Sequence, residues 1–177
     1  DLREVPSVVA GDKASRHSII LAKSIPAKKY GIQTGEPLFQ ALEKCPELVV
    51  IPPDYDLYVQ ASRHFVDMLR QFSPAVEQYS IDEAWVDMTG TQRLWGPPRL
   101  AAELMRRRIN EELGFTVNIG ISSNKLLAKM AGDFEKPNKV HTLFPEEMGE
   151  KFFPLPVRDL FLVGAATERK LQRLGIY

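Results

Sequence analysis

The sequence predicts an α+β fold, an antiparallel sheet with helices on one face, flanked by a small α/β piece before it and a short helical piece after it. Three observations predict it. Apolar residues recur at helical spacing in three long stretches, near residues 57–72, 98–109 and 124–134. Short runs rich in β-formers lie between them, at 76–81, 84–88 and 115–121. The last run alternates strictly, so Phe115, Val117, Ile119 and Ile121 share one face.

The front region, residues 1–54, has short elements. Residues 7–10 and 18–23 read as strands, the second carrying Ile19, Ile20 and Leu21. Residues 26–30 read as a short helix stopped by Gly31, and 37–44 as another with Pro37 in its first turn, where a missing N–H costs nothing. Residues 48–51 form an apolar strand closed by Pro52-Pro53.

The middle region, residues 55–144, is more regular. Leu57, Ala61, Phe65, Met68, Leu69 and Phe72 mark an amphipathic helix that Ser73-Pro74 ends. The two strands 76–81 and 84–88 follow. Pro97-Pro98 opens a helix with Leu100, Leu104, Met105 and Ile109 on one face, and Gly114 ends it. After the strand 115–121, Ser122 or Ser123 caps a helix whose inner face is Leu126, Leu127, Met130, Ala131 and Phe134. Pro137-Asn138 turns the chain into a strand at 140–144. The order α-β-β-α-β-α-β, with one strand ahead of it, makes a ferredoxin-like split βαβ sandwich. In the last region, 145–177, Val157, Leu160, Leu162-Val163-Gly164, Leu171 and Leu174 read as helix, hairpin, helix.

Composition excludes several classes. A chain of 177 residues with 44% hydrophobic and 26% charged residues can bury a core. No apolar run approaches the roughly 20 residues that span a bilayer, and no secretory signal is visible. Cys45 is the only cysteine, which excludes an internal disulfide and suits a reducing compartment. His17, His64, His141 and Cys45 are too scattered for a zinc pattern. With 23 Lys+Arg against 23 Asp+Glu, the chain is no simple polyanion coat. Charge is uneven, though: from Lys13 to Gly35 there is no acidic residue, while Lys13, Arg16, Lys23, Lys28 and Lys29 are basic. The chain starts at Asp1 without Met and stops at Tyr177 just after a helical pattern, so further sequence is expected on both sides.

The chemistry centres on Asp82 and Glu83, between two apolar strand runs. Neighbours on a continuous strand point to opposite faces, so a hairpin turn is needed to aim both at one ion. Mg²⁺ takes oxygen ligands and commonly uses one or two carboxylates plus substrate phosphates. Asp87 falls outside the pair in this register. By themselves, two acids in a turn are more often only what a solvated hairpin carries.

Context decides between these readings. Tyr79-Ser80-Ile81-Asp82-Glu83-Ala84, followed by Asp87-Met88-Thr89-Gly90, resembles the palm hairpin of the Y-family, UmuC-like translesion DNA polymerases. Gly120-Ile121-Ser122-Ser123-Asn124-Lys125-Leu126-Leu127-Ala128-Lys129-Met130-Ala131, running on to Lys136-Pro137-Asn138, is similar to the family's next motif. Ala27-Lys28-Lys29-Tyr30-Gly31-Ile32, with Gly35 and Pro37, resembles its fingers segment.

The resemblance implies template-directed DNA synthesis past damaged bases, a nucleotidyl transfer in DNA repair with two Mg²⁺ ions. It implies fingers at 1–54, palm at 55–144 and the start of a thumb at 145–177. Asp82 matches the metal-bridging aspartate, and Glu83 the glutamate that helps hold the metal serving the primer 3′-hydroxyl. Lys136 matches a lysine on the incoming triphosphate. Lys28 stands where relatives commonly carry an arginine on that triphosphate, and lacks its bidentate fork. Ile25 and Ala22 replace a tyrosine and a hydroxyl residue common in relatives, which makes the fingers grip less polar. Gly164 belongs to a helix-hairpin-helix resembling the thumb's phosphate binder, with Leu162 in place of its first glycine. Lys125 and Lys129 either meet the DNA backbone or are solvated. The implied partners are primer-template DNA, an incoming dNTP and, through a missing C-terminus, a sliding clamp, with no membrane and a bacterial cytoplasmic, nucleoid-associated location. The family's first metal aspartate and steric gate are expected upstream of Asp1 and its additional DNA-binding domain downstream, so the fragment alone is expected to be inactive. A non-catalytic Y-family-like scaffold in a repair complex is the alternative. A pure nucleic-acid-binding sheet is disfavoured, because Thr116, Asn118 and Gly120 replace the aromatics such a face needs.

Overall fold

The computed structural model describes residues 1–12 and 17–177, so Lys13 and Arg16 of the basic run lie outside the described residues. The chain divides into two compact units, Asp1–Tyr58 and Val59–Tyr177.

In the first unit, β1 (Ser7–Ala10) is the central strand. It pairs antiparallel with β2 (Ile20–Lys23) and parallel with β3 (Val49–Ile51). A parallel neighbour needs a long crossover, and here it contains β2, α1 (Ile25–Lys29) and α2 (Leu38–Lys44). Ser24 caps α1, its hydroxyl accepting the Ala27 N–H at 3.2 Å. Val8, Ala10, Ile20, Ile32, Leu38, Ala41 and Cys45 form the core of the unit, all buried.

The helix α3 (Tyr55–Arg70) runs across the boundary between the units. Beyond it, Phe65, Val66, Met68, Leu69 and Phe72 pack with Met105 and Ile109 as the core of the second unit. The strands β4 (Val76–Gln78) and β5 (Ala84–Val86) form an antiparallel hairpin. A short helix, α4 (Gln92–Trp95), follows, and Trp95 donates its indole N–H to the Phe72 carbonyl at 2.8 Å. Then come α5 (Pro98–Arg108), a π-helical turn at Ile109–Leu113, and Gly114 at φ 77°, a left-handed end that glycine adopts without strain.

Four expectations change here. The alternating run 115–121 buries the expected face, since Phe115, Val117 and Ile119 pack on the core, but only β6 (Ile119–Ile121) joins a ladder. It pairs with β7 (Val140–Thr142) in parallel, not antiparallel, because α6 (Lys125–Gly132) carries the chain back between them. The cap of α6 is neither serine. Asn124 Oδ1 accepts the Leu127 N–H at 2.9 Å, while the Ser122 hydroxyl donates to the Leu143 carbonyl at 2.5 Å. Leu126 faces outward at 48% exposure, because the inner row of a 3.6-residue helix runs through Leu127, Met130 and Ala131.

The end of the chain holds α7 (Met148–Lys151), a 3₁₀ turn at Val157–Asp159 and α8 (Ala165–Arg173). The first of the two expected helices is only that single turn, since Pro154 and Pro156 forbid a longer one. Leu162 between them has φ 68°, the conformation a glycine would take without cost.

Candidate functional site: the β4–β5 hairpin and the helix beside it

β4 and β5 are paired through Gln78 opposite Ala84. The Tyr79 and Ser80 N–H groups then both donate to the Glu83 carbonyl, at 2.9 and 3.1 Å, closing the turn over residues 80–82. The turn breaks the strand alternation that would separate the two acids. The Ser80 hydroxyl donates to Asp82 Oδ1 at 2.8 Å and lies 3.4 Å from Glu83 Oε2. Both carboxylates therefore face one hydroxyl, and its single proton serves the nearer. Asp87 stands apart, its Oδ1 accepting the Thr89 N–H at 2.9 Å. Hydrogen bonds from the Thr89 side chain and backbone hold its carboxyl below the usual range.

The remaining oxygen of Glu83 meets α6. Lys129 Nζ lies 2.9 Å from Glu83 Oε1 and 2.8 Å from Asp133 Oδ2. Asp133 Oδ1 in turn pairs with Lys136 at 2.8 Å. Burial pulls Lys129 down, but its hydrogen bonds to Asp133 and Glu83 outweigh this and leave it above the ordinary lysine value. Burial pushes Asp133 up, and Lys129 and Lys136 together hold it below the ordinary carboxylate value. Sequence reasoning singles out Glu83, Lys129 and Lys136 separately but misses Asp133 and the line of ion pairs that it completes. Its signal was the spacing of Lys129, Asp133 and Lys136, at i,i+4 and i,i+3.

An aromatic group fixes the hairpin against α6. Trp85 donates its indole N–H to the Lys125 carbonyl at 3.1 Å. The Lys125 ammonium lies 5.4 Å from the Trp85 ring centre and pairs with Glu77, so this lysine is engaged within the protein. Tyr79 lies between Trp85 and Phe161, with ring centres 5.0 and 5.6 Å away.

The other expected residues lie elsewhere. Lys28 is exposed on α1 in the first unit, near an exposed Ile25. Gly164 is the N-terminal flank of α8, with open space around it. Among the described residues no three His, Cys, Asp or Glu side chains cluster as metal ligands. Two convergent carboxylates fit a hard divalent cation that draws its other ligands from phosphates and water.

A family model described as impB/mucB/samB matches residues 1–133. The chain belongs to this family. Other members agree closely in sequence. DNA polymerase IV of Clostridium acetobutylicum is 51% identical over 176 residues, covering 99% of this chain and 44% of that protein. DNA polymerase IV of Moorella thermoacetica is 45% identical over 177 residues, again covering 99% and 44%. Among solved structures, DinB from Sulfolobus solfataricus matches with a TM-score of 0.83 at 28% identity, over 97% of this chain and 50% of that one. An insertion ternary complex of Dbh DNA polymerase matches at 0.84 and 27%, over 97% and 51%. The chain thus spans under half the length of these relatives and about half of these structures. The impB/mucB/samB match covers all of β1 to α6, so the α+β fold, the hairpin and the helix beside it lie within the family segment. No helix among the described residues is long and apolar enough to cross a membrane.

Proposed function

We propose that the chain forms part of a Y-family DNA polymerase that extends a primer on damaged template, with fingers at residues 1–54, palm at 55–144 and the start of a thumb at 145–177. The observation that carries this reading is the convergence of Asp82 and Glu83 on Ser80, within the segment that matches the family. Relatives named DNA polymerase IV support it.

In this role Asp82 and Glu83 hold divalent cations, Mg²⁺ in the cell, beside the primer terminus. Bound there, such ions supply Lewis acidity toward the primer hydroxyl and neutralise triphosphate charge. Ser80 fixes the Asp82 carboxylate through its 2.8 Å hydrogen bond. Lys129 fixes one oxygen of Glu83, and the other faces the Ser80 hydroxyl that also holds Asp82. Lys136, with a side chain 62% exposed, can leave Asp133 for an incoming phosphate. The Gly164 backbone at the start of α8 meets a DNA phosphate, and Lys125 lies beside the strand path. Positioning and charge do most of the work in such a transfer, since phosphoryl transition states ask little covalent help from the protein. The full-length protein acts on primer-template DNA and dNTPs in the cytoplasm, with a sliding clamp as partner.

The test is primer extension by the full-length protein with Mg²⁺, against an Asp82→Ala variant. We expect a loss of at least about 100-fold, as for removal of a group that stabilises the transition state, with unchanged thermal stability. Extension by the variant at the wild-type rate would overturn the reading. So would a wild type that binds primer-template without extending it, which is how a non-catalytic scaffold behaves.

A further inference from the structure

A second polar cleft lies between α5, the segment ending in β7, and α7. It encloses about 450 Å³, and none of Asp82, Glu83, Lys129 or Lys136 lines it. Its walls carry four cations, Arg99, Arg106, Lys139 and Lys151, and two carboxylates, Glu103 and Glu135, an excess of two positive charges. Arg106 Nε bonds Glu103 at 2.9 Å and Lys139 pairs with Glu135 at 3.2 Å. Lys151 pairs with Glu147, just outside the lining. Arg99 makes no hydrogen bond or ion pair among the described residues.

Two further atoms in the same cleft lack partners. Asn138 Oδ1 and His141 Nε2 are buried and accept or donate no hydrogen bond among the described residues. The nearest acid to His141 Nε2 is Glu135 Oε2, at 4.0 Å, beyond hydrogen-bond reach. A buried polar atom left unpaired costs free energy, so two in one cleft ask for a ligand. The oxygen and nitrogen of the Asn138 amide are interchangeable by rotation, so this side chain can donate as well as accept.

We infer that this cleft binds a small phosphoryl anion of the di- or triphosphate type. Excess positive charge, an Arg99 guanidinium without a partner among the described residues and an unpaired His141 Nε2 call for several anionic oxygens, and water would satisfy the buried atoms without neutralising Arg99. The lining contains no Phe, Tyr or Trp ring on which a base could stack, and its one imidazole, His141, packs edge-on against Phe134. Glu103 and Glu135, with side chains 37% and 59% exposed, stand where a passing nucleic-acid strand would meet negative charge. In the proposed complex a compact anion sits between them with its oxygens on Arg99, and the His141 and Asn138 side chains turn their buried polar atoms toward it.

The experiment is calorimetric titration of the full-length protein with inorganic pyrophosphate in EDTA, which keeps divalent cations away from the hairpin. Arg99→Glu and Lys136→Ala variants are titrated in parallel. Arg99 is exposed on α5, so its variant keeps the fold, which a melting curve checks. We expect one site, weakened about tenfold or more by Arg99→Glu, the scale of one charge-assisted contact, and unchanged in Lys136→Ala. No binding by the wild type overturns the inference. So does loss in Lys136→Ala with retention in Arg99→Glu, which would put the anion on the nucleotide grip. A single-stranded oligonucleotide that binds more tightly than pyrophosphate, and loses that binding in Arg99→Glu, also overturns it in favour of a strand track.

Discussion

Replacing Gly120 by alanine should destabilise the second unit more than any other glycine substitution in this chain. Gly120 sits in the middle of β6, where α6 crosses closely. A Cβ built there lies 1.8 Å from the Ala128 carbonyl oxygen, 2.4 Å from the Gly132 nitrogen and 2.9 Å from the Ala128 carbonyl carbon. All three are backbone atoms, so no side chain can swing aside. The helix must retreat by roughly 1 Å or more to restore tolerable contact. Overpacking a well-filled core costs about 1–3 kcal/mol. A backbone obstacle puts this case at ~3 kcal/mol, equivalent to a fall of about 10 °C in melting temperature for a unit of this size. Two controls separate overlap from other glycine effects. Gly149, in α7, has nothing within 4 Å of a Cβ, so Gly149→Ala should be neutral or stabilising by up to ~1 kcal/mol through helix propensity. Gly114 also has open space but a φ of 77°, so Gly114→Ala should cost only the ~1 kcal/mol of left-handed strain. Thermal melts of the three full-length variants, followed by circular dichroism, decide the matter. A Gly120→Ala protein melting within about 2 °C of wild type would refute the close approach of β6 and α6.

Other perturbations test neighbouring parts. Asn124→Ala should cost ~1 kcal/mol through loss of the α6 cap, read from the denaturation midpoint, whereas Ser123→Ala should cost little. Glu147 is held at about 2, first by the Lys151 hydrogen bond and then by the Phe144 N–H, against an ordinary 4.5. A depressed carboxylate contributes stability that is complete above its unfolded value and lost as pH falls through the folded one. Melting temperatures taken between pH 4.5 and about 2 should therefore fall less steeply in Glu147→Gln than in wild type, and equal slopes would contradict the assignment. Lys129→Met removes the ammonium that competes with a cation for Glu83, so Mn²⁺ affinity by calorimetry should rise several-fold even as stability falls by ~1–2 kcal/mol. Weaker Mn²⁺ binding would mean that the lysine's role is to orient Glu83, not to shield it.

Much of the fold can be read from periodicity, because burial of one face imprints a period of two or of about 3.6 on the residues. Phe65, Met68, Leu69 and Phe72 announce α3, and the alternation from Phe115 finds the face that β6 turns inward. Alternation carries no information on strand direction, which is why the parallel pairing of β6 with β7 appears only in the structure. Nor does periodicity reach α4, whose four residues are barely one turn, or distinguish Asn124 from two adjacent serines that are equally good caps. Asp82 and Glu83 stand out because a turn between apolar strands must put them together. Their partner does not, since Lys129 reads as an ordinary helix-surface lysine until β4–β5 is seen folded against α6. The cleft carrying Asn138 and His141 is equally silent in sequence, being assembled from α5, β7 and α7.

The charges around the hairpin explain why the acidic pair and the lysines of the following motif belong together. Glu83, Lys129, Asp133 and Lys136 form an unbroken line of ion pairs, two negative and two positive, and so cancel. Asp82 is in no ion pair among the described residues, and its one close partner is the neutral Ser80 hydroxyl. The five groups therefore carry a net charge of −1, residing on Asp82. A cation bound there, as proposed, would gain most of its Coulomb attraction from that one residue, while Glu83 would supply a ligand whose charge Lys129 already balances. Removing Asp82 leaves the line neutral and the attraction gone. Removing Lys129 deepens the negative charge. Opposite signs of appreciable size for the two substitutions on cation affinity are what this arrangement requires, and a site built from two merely solvated, screened turn acids would give little change for either.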